Sequence, residues 1–495
     1  MPIMDEPTSL DPQIADSNSE KLVAANCYEG LVRIMADGTI GKGVATDWNI
    51  SDDGLTYTFK LRNNSHWAMF SGHKAVLGEN YEDTFDITVK AEDFKFGIER
   101  TLSEQTGSAD APLFSAVKSI STPDDFTIVF NLSYADDNFL YALTNPGAMP
   151  CDEEFFNLTN GKYGLDAKYL LCNGPFHVSK WTEKISVKLA KNNEYNGESS
   201  VSPSSVTFYI NNDDSEVADK MNSVTYDVAF LSSSQFSSIE NKKDLNSVAV
   251  QNVTYSFIFN QNDNNYRNKN MRLAFCRSCD TSSLFDSQSD ISKADGIVPP
   301  SCKIGGEDYR NGNAAELLSY DETLAKKNFN DALLELGSSS VETTILCTEQ
   351  YEPFVKQMVQ KLQKTLGVKF VSTVKVVSES DLEAAVNDGN YSVAFYPFKA
   401  KSSFAGEIIE GFDQNNIFGY ESDVLSQKIR NIKNNSGSLE GERSAVADAE
   451  NYLVSEAVIM PVFYENSYFV TSKKTSGIYF YSSADNVCFI NAKKS

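Results

Sequence analysis

The chain has 495 residues, 41% hydrophobic and 12% aromatic, which is folded-globular composition and long enough for two or three cores, since a single core stops growing at roughly 250–300 residues. Its formal net charge of −25 repels a phosphate backbone and an anionic membrane surface alike, so nucleic acid is excluded as a natural partner. It contains no run of about 18 or more apolar residues, so no segment reads as a membrane-spanning helix.

The first twenty residues, "MPIMDEPTSLDPQIADSNSE", carry Asp5, Glu6, Asp11 and Asp16 where a secretory signal has a basic start and an apolar stretch. Either the protein is cytoplasmic or a targeting segment has been removed. Leu55, Tyr57, Phe59 and Leu61 alternate with Thr56, Thr58, Lys60 and Arg62, the period of a strand with one buried face. Asp52-Asp53-Gly54 before it tolerates positive φ, so Trp48 and Ile50 belong to the partner strand of a hairpin. The hairpin is read as scaffold.

"KAEDFKFGIERTL" places Phe94, Ile98 and Leu102 at helical spacing, and "DDFTIVFNLS" is a second hairpin strand. "NKNMRLAFCRSCD" reads as a helix bearing Met271, Leu273, Ala274 and Phe275. From Val341 the pattern is β-α-β-α-β: strand "VETTILC", a helix with Phe354, Val355, Met358, Val359, Leu362 and Leu366 on one face and Gly367 as its stop, strand "VKFVSTVKVV", a short helix with Ser380 as N-cap, and strand "YSVAFYP" broken by Pro397. Right-handed crossovers make this a parallel sheet covered by helices, with any ligand beyond the carboxyl ends of its strands, near Thr348–Glu352 and Tyr396–Lys401. "RSAVADAENYLVSEA" is an amphipathic helix leading into the strand "MPVFYENSYFV". Hairpins in one region and β-α-β units in another indicate an α/β protein with separate lobes.

Eight cysteines are spread too widely for a small disulfide scaffold. Cys276 and Cys279 form the only C-x-x-C, read as two packed or paired thiols rather than a metal site. The three histidines, His66, His73 and His177, lack metal-binding spacing, so no metal ligand and no cofactor is assigned. There is no G-x-S-x-G elbow, Walker loop or G-x-G-x-x-G, and adjacent carboxylates such as Asp52-Asp53 are read as solvated surface. No catalytic residue is assigned.

The order and spacing of "EPTSLDPQ", "YEGLVR", "W-x-I-S-D-D-G-L-T-Y-T-F-K-L-R", "VKAEDFKFGIERTL", "NGPFHVSKW", "KNNEYNG", "IFNQND" with "MRLAF", and "EAVIMPVFYENSYF" resemble the extracytoplasmic solute-binding proteins of peptide (oligopeptide and dipeptide) ABC transporters over essentially the whole chain. The resemblance implies a two-lobed, periplasmic-binding-protein-like α/β fold with an additional inserted lobe. Lobe I takes about Met1–Ile40, Tyr169–Phe257 and Thr471–Ser495, lobe II about Gly41–Lys168, and lobe III about Ile258–Val470. The hairpin Ser51–Trp67 then lies in lobe II.

It further implies a monomeric binder without enzymatic activity or cofactor, which closes by a hinge on a peptide or peptide-like solute between lobes I and III and delivers it to a membrane permease. Such proteins are extracytoplasmic lipoproteins whose signal is removed. The strand that here ends "VAFYPF" reads W-x-A-D-Y-P in peptide binders of this family, where an aspartate grips the peptide's α-ammonium. Phe395 stands in that place, and losing such a charge-assisted bond is worth roughly 1.5–3 kcal/mol.

Lys399 and Lys401 beyond it are candidates to meet a carboxylate or another anion. Glu29, Asn173, Asn260, Tyr396, Phe398, Tyr420 and Tyr464 are further candidates for lining the cleft, alongside Phe395 itself, each with a competing reading as hinge or core. The resemblance also puts Cys151 and Cys172 near the crossover between lobes, where a Cys151–Cys172 disulfide is expected. A binder of the same fold for a non-peptide ligand, an oligosaccharide, metal chelate or other small solute, is the alternative. A secreted carboxylate-dependent hydrolase is the rival from another class.

Overall fold

A computed structural model describes residues 1–35, 39–197, 200–281, 290–399, 404–413, 416–436, 438–481 and 486–495. The chain forms two compact units, Met1–Ala249 with Tyr468–Ser495, and Val250–Ser467. In chain order the elements that matter are β1 (Pro2–Ile3), α1 (Asn18–Cys27), β2 (Ala45–Ile50), β3 (Thr56–Leu61), α2 (Ala91–Leu102), β4 (Val117–Asp124), β5 (Thr127–Leu132), β6 (Phe176–Thr182), β7 (Ser186–Lys191), β8 (Ser205–Ile210) and β9 (Leu245–Phe259). There follow α3 (Asn264–Arg267), α4 (Lys269–Ser278), β10 (Ile291–Lys293), α5 (Glu322–Leu336), β11 (Val341–Cys347), α6 (Glu352–Leu366), β12 (Phe370–Val376), α7 (Glu379–Asn387), β13 (Val393–Lys399), α8 (Leu439–Ser455) and β14 (Ile459–Ser472).

The first unit holds two antiparallel-rich sheets, β2-β3-β5-β4 and β1-β8-β7-β6. The hairpin expected around Gly54 is formed: β2 pairs β3 with Trp48 opposite Phe59, and Gly54 sits at φ +69°. Tyr57, Phe59 and Leu61 are buried, and Phe59 meets Phe130 of β5 edge-on at 5.8 Å. Phe94 and Ile98 of α2 are fully buried, whereas Leu102, at the last position of the helix, is exposed.

The second unit follows β14-β9-β13-β11-β12, with β10 on β14. β11 is parallel to both β12 and β13, while β13 is antiparallel to β9. The expected parallel sheet is thus the parallel part of a mixed one. Alternation along β9 and β13 divides two cores: Phe257, Phe259 and Phe395 face α4, α5 and α6, and Ile258 and Ala394 face α7 and α8. The N-cap of α7 is Ser378, whose Oγ accepts the Asp381 N–H at 3.1 Å, rather than Ser380. Pro397 does not break its strand: β11 pairs β13 only at Val393 and Ala394, so beyond Ala394 β13 lacks a β11 partner and tolerates a residue without N–H.

The Cys151–Cys172 disulfide is not formed, and both thiols are free. Cys151 is anchored by its N–H to Asp93 O at 2.9 Å, and its Sγ lies 3.6 Å from Arg100 Nη1. Cys172 is held by Ala68 N–H to its carbonyl at 2.7 Å, and its thiol hydrogen-bonds Cys27 instead. Alkylation of the denatured, unreduced protein is therefore expected to label Cys151, read by peptide mass spectrometry. Cys276 and Cys279 are buried free thiols, pushed up by burial.

His73 has no exposed surface, and its Nε2 lies 3.1 Å from Leu170 O between the rings of Phe70 and Phe155. Burial lowers its pKa from 6.5 to about 4, against the Leu170 hydrogen bond, so the ring is neutral. A depressed histidine contributes stability that is complete above its unfolded pKa and is lost as pH falls from about 6.5 toward 4, about 3 kcal/mol in all. Urea unfolding of the wild type and His73→Leu across pH 7.5 to 4.5 checks this: the stability of the wild type minus that of the variant should fall as pH drops.

Candidate functional site

The carboxyl ends of β11 and β13 bring together a patch that the local sequence explains. Phe395, Pro397 and Lys399 share one face of β13, opposite Phe257, Tyr255 and Val253 of β9. Just past β11 the chain turns into α6, and Tyr351 at that turn packs on Tyr255 with ring centroids 4.4 Å apart. Phe463 of β14 completes the cluster, 5.1 Å from Tyr255 and 5.6 Å from Phe395.

Two residues along β14 from Phe463, on the same face, stands Glu465. Its carboxylate accepts the Tyr351 hydroxyl, and Gln350 Nε2 lies 3.4 Å away. Burial raises its pKa, against the hydrogen bonds from Tyr351 and Gln350, and the charges of Glu379 and Asp290 raise it further. Among the described residues no ion pair neutralises it. Chemically the patch is a buried aromatic cluster in which Tyr255 is the partly exposed ring, edged by a carboxylate, with the Lys399 ammonium at the end of β13, two strands or about 10 Å across the sheet. Such an arrangement suits a solute carrying both a cation and an anion.

Of the sequence-predicted residues, Phe395 is only 1% exposed and belongs to the core beneath this patch. Tyr396 and Phe398 face the opposite side, half-buried, Phe398 stacking on Phe412 at 5.8 Å. Lys399 is exposed, and Lys401 lies outside the described residues. Asn260 is a turn clamp whose amide donates to Gly389 O and Tyr391 O at 2.8 and 2.7 Å. Tyr464 is buried, its hydroxyl accepting the Asp295 N–H at 3.1 Å.

Glu29 and Asn173 are brought together in the first unit. The Glu29 N–H donates to Asn173 Oδ1 at 3.0 Å and the Asn173 amide returns to Glu29 O at 2.8 Å, a backbone splice across 144 residues. The Glu29 carboxylate is spent on Arg62 and on the Tyr195 hydroxyl, in the wall of a cavity of about 330 Å³. Tyr420 lines a different cavity, at the opposite end of the second unit's sheet from Lys399.

A model of the bacterial extracellular solute-binding proteins, family 5, matches residues 39–418. The chain belongs to this family. The family 5 chain is 24% identical to the dipeptide-binding protein DppE of Bacillus subtilis (strain 168) over 96% of its own length and 88% of the relative's. Its fold matches Listeria monocytogenes OppA bound to peptide, with a TM-score of 0.76 at 21% identity, covering 100% of this chain and 98% of that one. It also matches a dipeptide-binding protein from Pseudoalteromonas sp. SM9913 in complex with Met-Leu, with a TM-score of 0.78 at 18% identity, covering 100% and 99%. The periplasmic-binding-protein-like fold expected from the sequence is thereby shown.

In this family 5 protein the second unit begins at Val250 and ends at Ser467. Among its functional candidates, sequence reasoning passed over Glu465 and Tyr255, whereas Tyr351 falls within the Thr348–Glu352 turn expected near a ligand. A signal for Glu465 existed: it is an acid two positions from Phe463, directly after the apolar run Ile459–Tyr464, so period-2 alternation already put it on the aromatic face.

Proposed function

We propose that this family 5 protein captures a peptide or peptide-like solute outside the cytoplasmic membrane and releases it chemically unaltered to the permease of an ABC importer. In this reading it acts as a monomer held at the cell surface by a lipid anchor. The observation that carries the reading is similarity along nearly the whole chain to proteins named for peptide binding. The Glu465 carboxylate, which has no ionic partner among the described residues, supports it by supplying an acid near Phe395, which replaces the family's aspartate.

In this reading Glu465 receives the solute's ammonium group, Tyr255 and Tyr351 offer it aromatic surface, and Lys399 faces its anionic end. Tyr396, Phe398, Tyr420, Glu29 and Asn173 remain further candidates to touch or position it. Peptide backbone N–H and C=O groups need partners once water leaves, and the ends of the sheet strands supply main-chain ones. Closure around a solute contributes affinity only so far as the closed form contacts it better.

A thermal-shift screen of peptides, oligosaccharides and metal chelates tests this, because a ligand that binds only the native state raises the melting temperature by mass action. Peptides with a free amino terminus are expected to raise it, and turnover of a peptide or glycoside would refute the binder reading. A non-peptide ligand is the second reading, favoured by the burial of Phe395, and a response confined to oligosaccharides or chelates would establish it.

A further inference from the structure

The geometry points to a second binding site in Val250–Ser467, for a small soluble oxyanion, at the end of the sheet remote from Glu465 and Lys399. β9 ends at Phe259, opposite Val393 where β13 begins. The chain that follows, through α3 into α4, walls a cavity of about 650 Å³ with Gln261, Asn262, Arg267 and Arg272, completed by Tyr420 and Glu421.

Two arginines line this cavity, and among the described residues neither is paired with a carboxylate. Arg272 is 2% exposed and is held by carbonyls alone: Nε by Ala457 O at 3.0 Å, Nη1 by Tyr266 O and Arg267 O at 2.7 and 2.9 Å, and Nη2 by Glu456 O at 3.0 Å. The Glu456 carboxylate is taken by Lys269 at 2.6 Å. Carbonyl dipoles satisfy the Arg272 donors but leave its charge uncancelled in a desolvated wall. Arg267 is exposed, its Nε donating to Gln261 O at 3.2 Å, and among the described residues it joins no ion pair.

An independent observation concerns the neutral donors. Gln261 is 5% exposed, and its Nε2 is buried with no acceptor, a deficiency that native interiors rarely leave uncompensated. Asn262 lies against Gly419, which is at φ +65°, and a Cβ there would stand 2.5 Å from Asn262 Nδ2, so glycine keeps the space for that amide. Glu421, the acidic member of the described wall, is exposed.

The Arg267 guanidinium and the Asn262 and Gln261 amides on one cavity, backed by the buried Arg272 charge whose own donors are taken by carbonyls, match a carboxylate or phosphate group. A net charge of −25 weighs against an anionic membrane surface as the source of the anion. The inference does not depend on what the Glu465 patch binds.

The test uses the full chain, free of added ligand, in a zwitterionic buffer with chloride matching every addition in ionic strength. Inorganic phosphate and acetate are titrated separately while the melting temperature is followed. A saturable rise with either anion above the chloride control is expected, acetate alone assigning a planar carboxylate site and phosphate a tetrahedral one. Arg267→Ala, with its fold checked by circular dichroism, should abolish the rise, and Arg267→Lys, which keeps the charge but not the fork, should weaken it. No saturable rise above chloride, or an equal rise in Arg267→Ala, would overturn the proposal.

Discussion

Glu450→Ala is expected to remove about 3–5 kcal/mol of folding stability, the usual consequence of stripping one partner from a buried ion pair. Glu450 of α8 is 1% exposed, and it receives five donors. Oε1 accepts the N–H groups of Ile297 and Val298 at 2.7 and 2.9 Å, and Oε2 accepts the Tyr309 hydroxyl at 3.0 Å and Arg310 Nη1 at 2.9 Å. Arg310 Nη2 closes the pair on Oε1.

Gly296 is required here for close approach, since a Cβ would meet Arg310 Nη2 at 2.2 Å and Glu450 Oε1 at 2.5 Å. Alanine at 450 leaves the two Nη groups of a buried guanidinium and two backbone N–H groups without their acceptor, each costing free energy in a dry interior, while Arg310 Nε keeps Val298 O. Guanidinium unfolding of the variant, read by circular dichroism, measures the loss. The double variant Glu450→Met with Arg310→Met should recover part of it, because removing both charges removes the unpaired one. A loss under about 1 kcal/mol for the alanine variant would mean that this loop is held by other contacts.

Glu465→Gln is expected to weaken binding of a peptide with a free amino terminus by about tenfold to a hundredfold, the worth of a charge-assisted hydrogen bond. An N-acetylated version of the same peptide should bind the wild type with a similar deficit and should lose little more in the variant. Calorimetric titration of the four combinations isolates the coupling. Equal wild-type affinity for free and acetylated peptides would exclude Glu465 as the ammonium's partner.

The pH dependence has a definite sign. Burial raises the Glu465 pKa, and only the ionised form attracts a cation, so affinity should fall on acidification starting at a higher pH than for an ordinary glutamate. Glu465→Gln should flatten that profile.

The succession β11-α6-β12-α7-β13 was legible because each element has a complete local period and a clear stop, such as Gly367 at φ +78° after α6. The errors were those that local pattern leaves open. Ser378 and Ser380 are equally good caps by type, and only the backbone path decides that Ser378 reaches the Asp381 N–H. Pro397 stops a strand on average, but not where one neighbouring strand has already left. Alternation put Phe395 and Tyr396 on opposite faces, without saying which face carries the functional patch. Glu465 stayed hidden because an acid in a strand is ordinarily solvated, and its burial comes from Tyr351, 114 residues away.

The amino-acid sequence by itself determined the hairpin at Gly54, the β-α-β units, and, through words in a fixed order, the family and its fold. The hairpin and the β-α-β units depend on periodicity and turn chemistry, which act over a few residues, whereas the family rests on resemblance of motifs along the chain. The tertiary structure alone decided that Cys172 meets Cys27 rather than Cys151, that Glu29 is occupied by Arg62, that Glu450 pins a loop 140 residues distant in sequence through Arg310, and that Glu465 takes the Tyr351 hydroxyl beside aromatic rings. The reason is that the worth of a polar or charged side chain is set by which groups share its desolvated surroundings, and those surroundings exist only once distant segments have packed and excluded water.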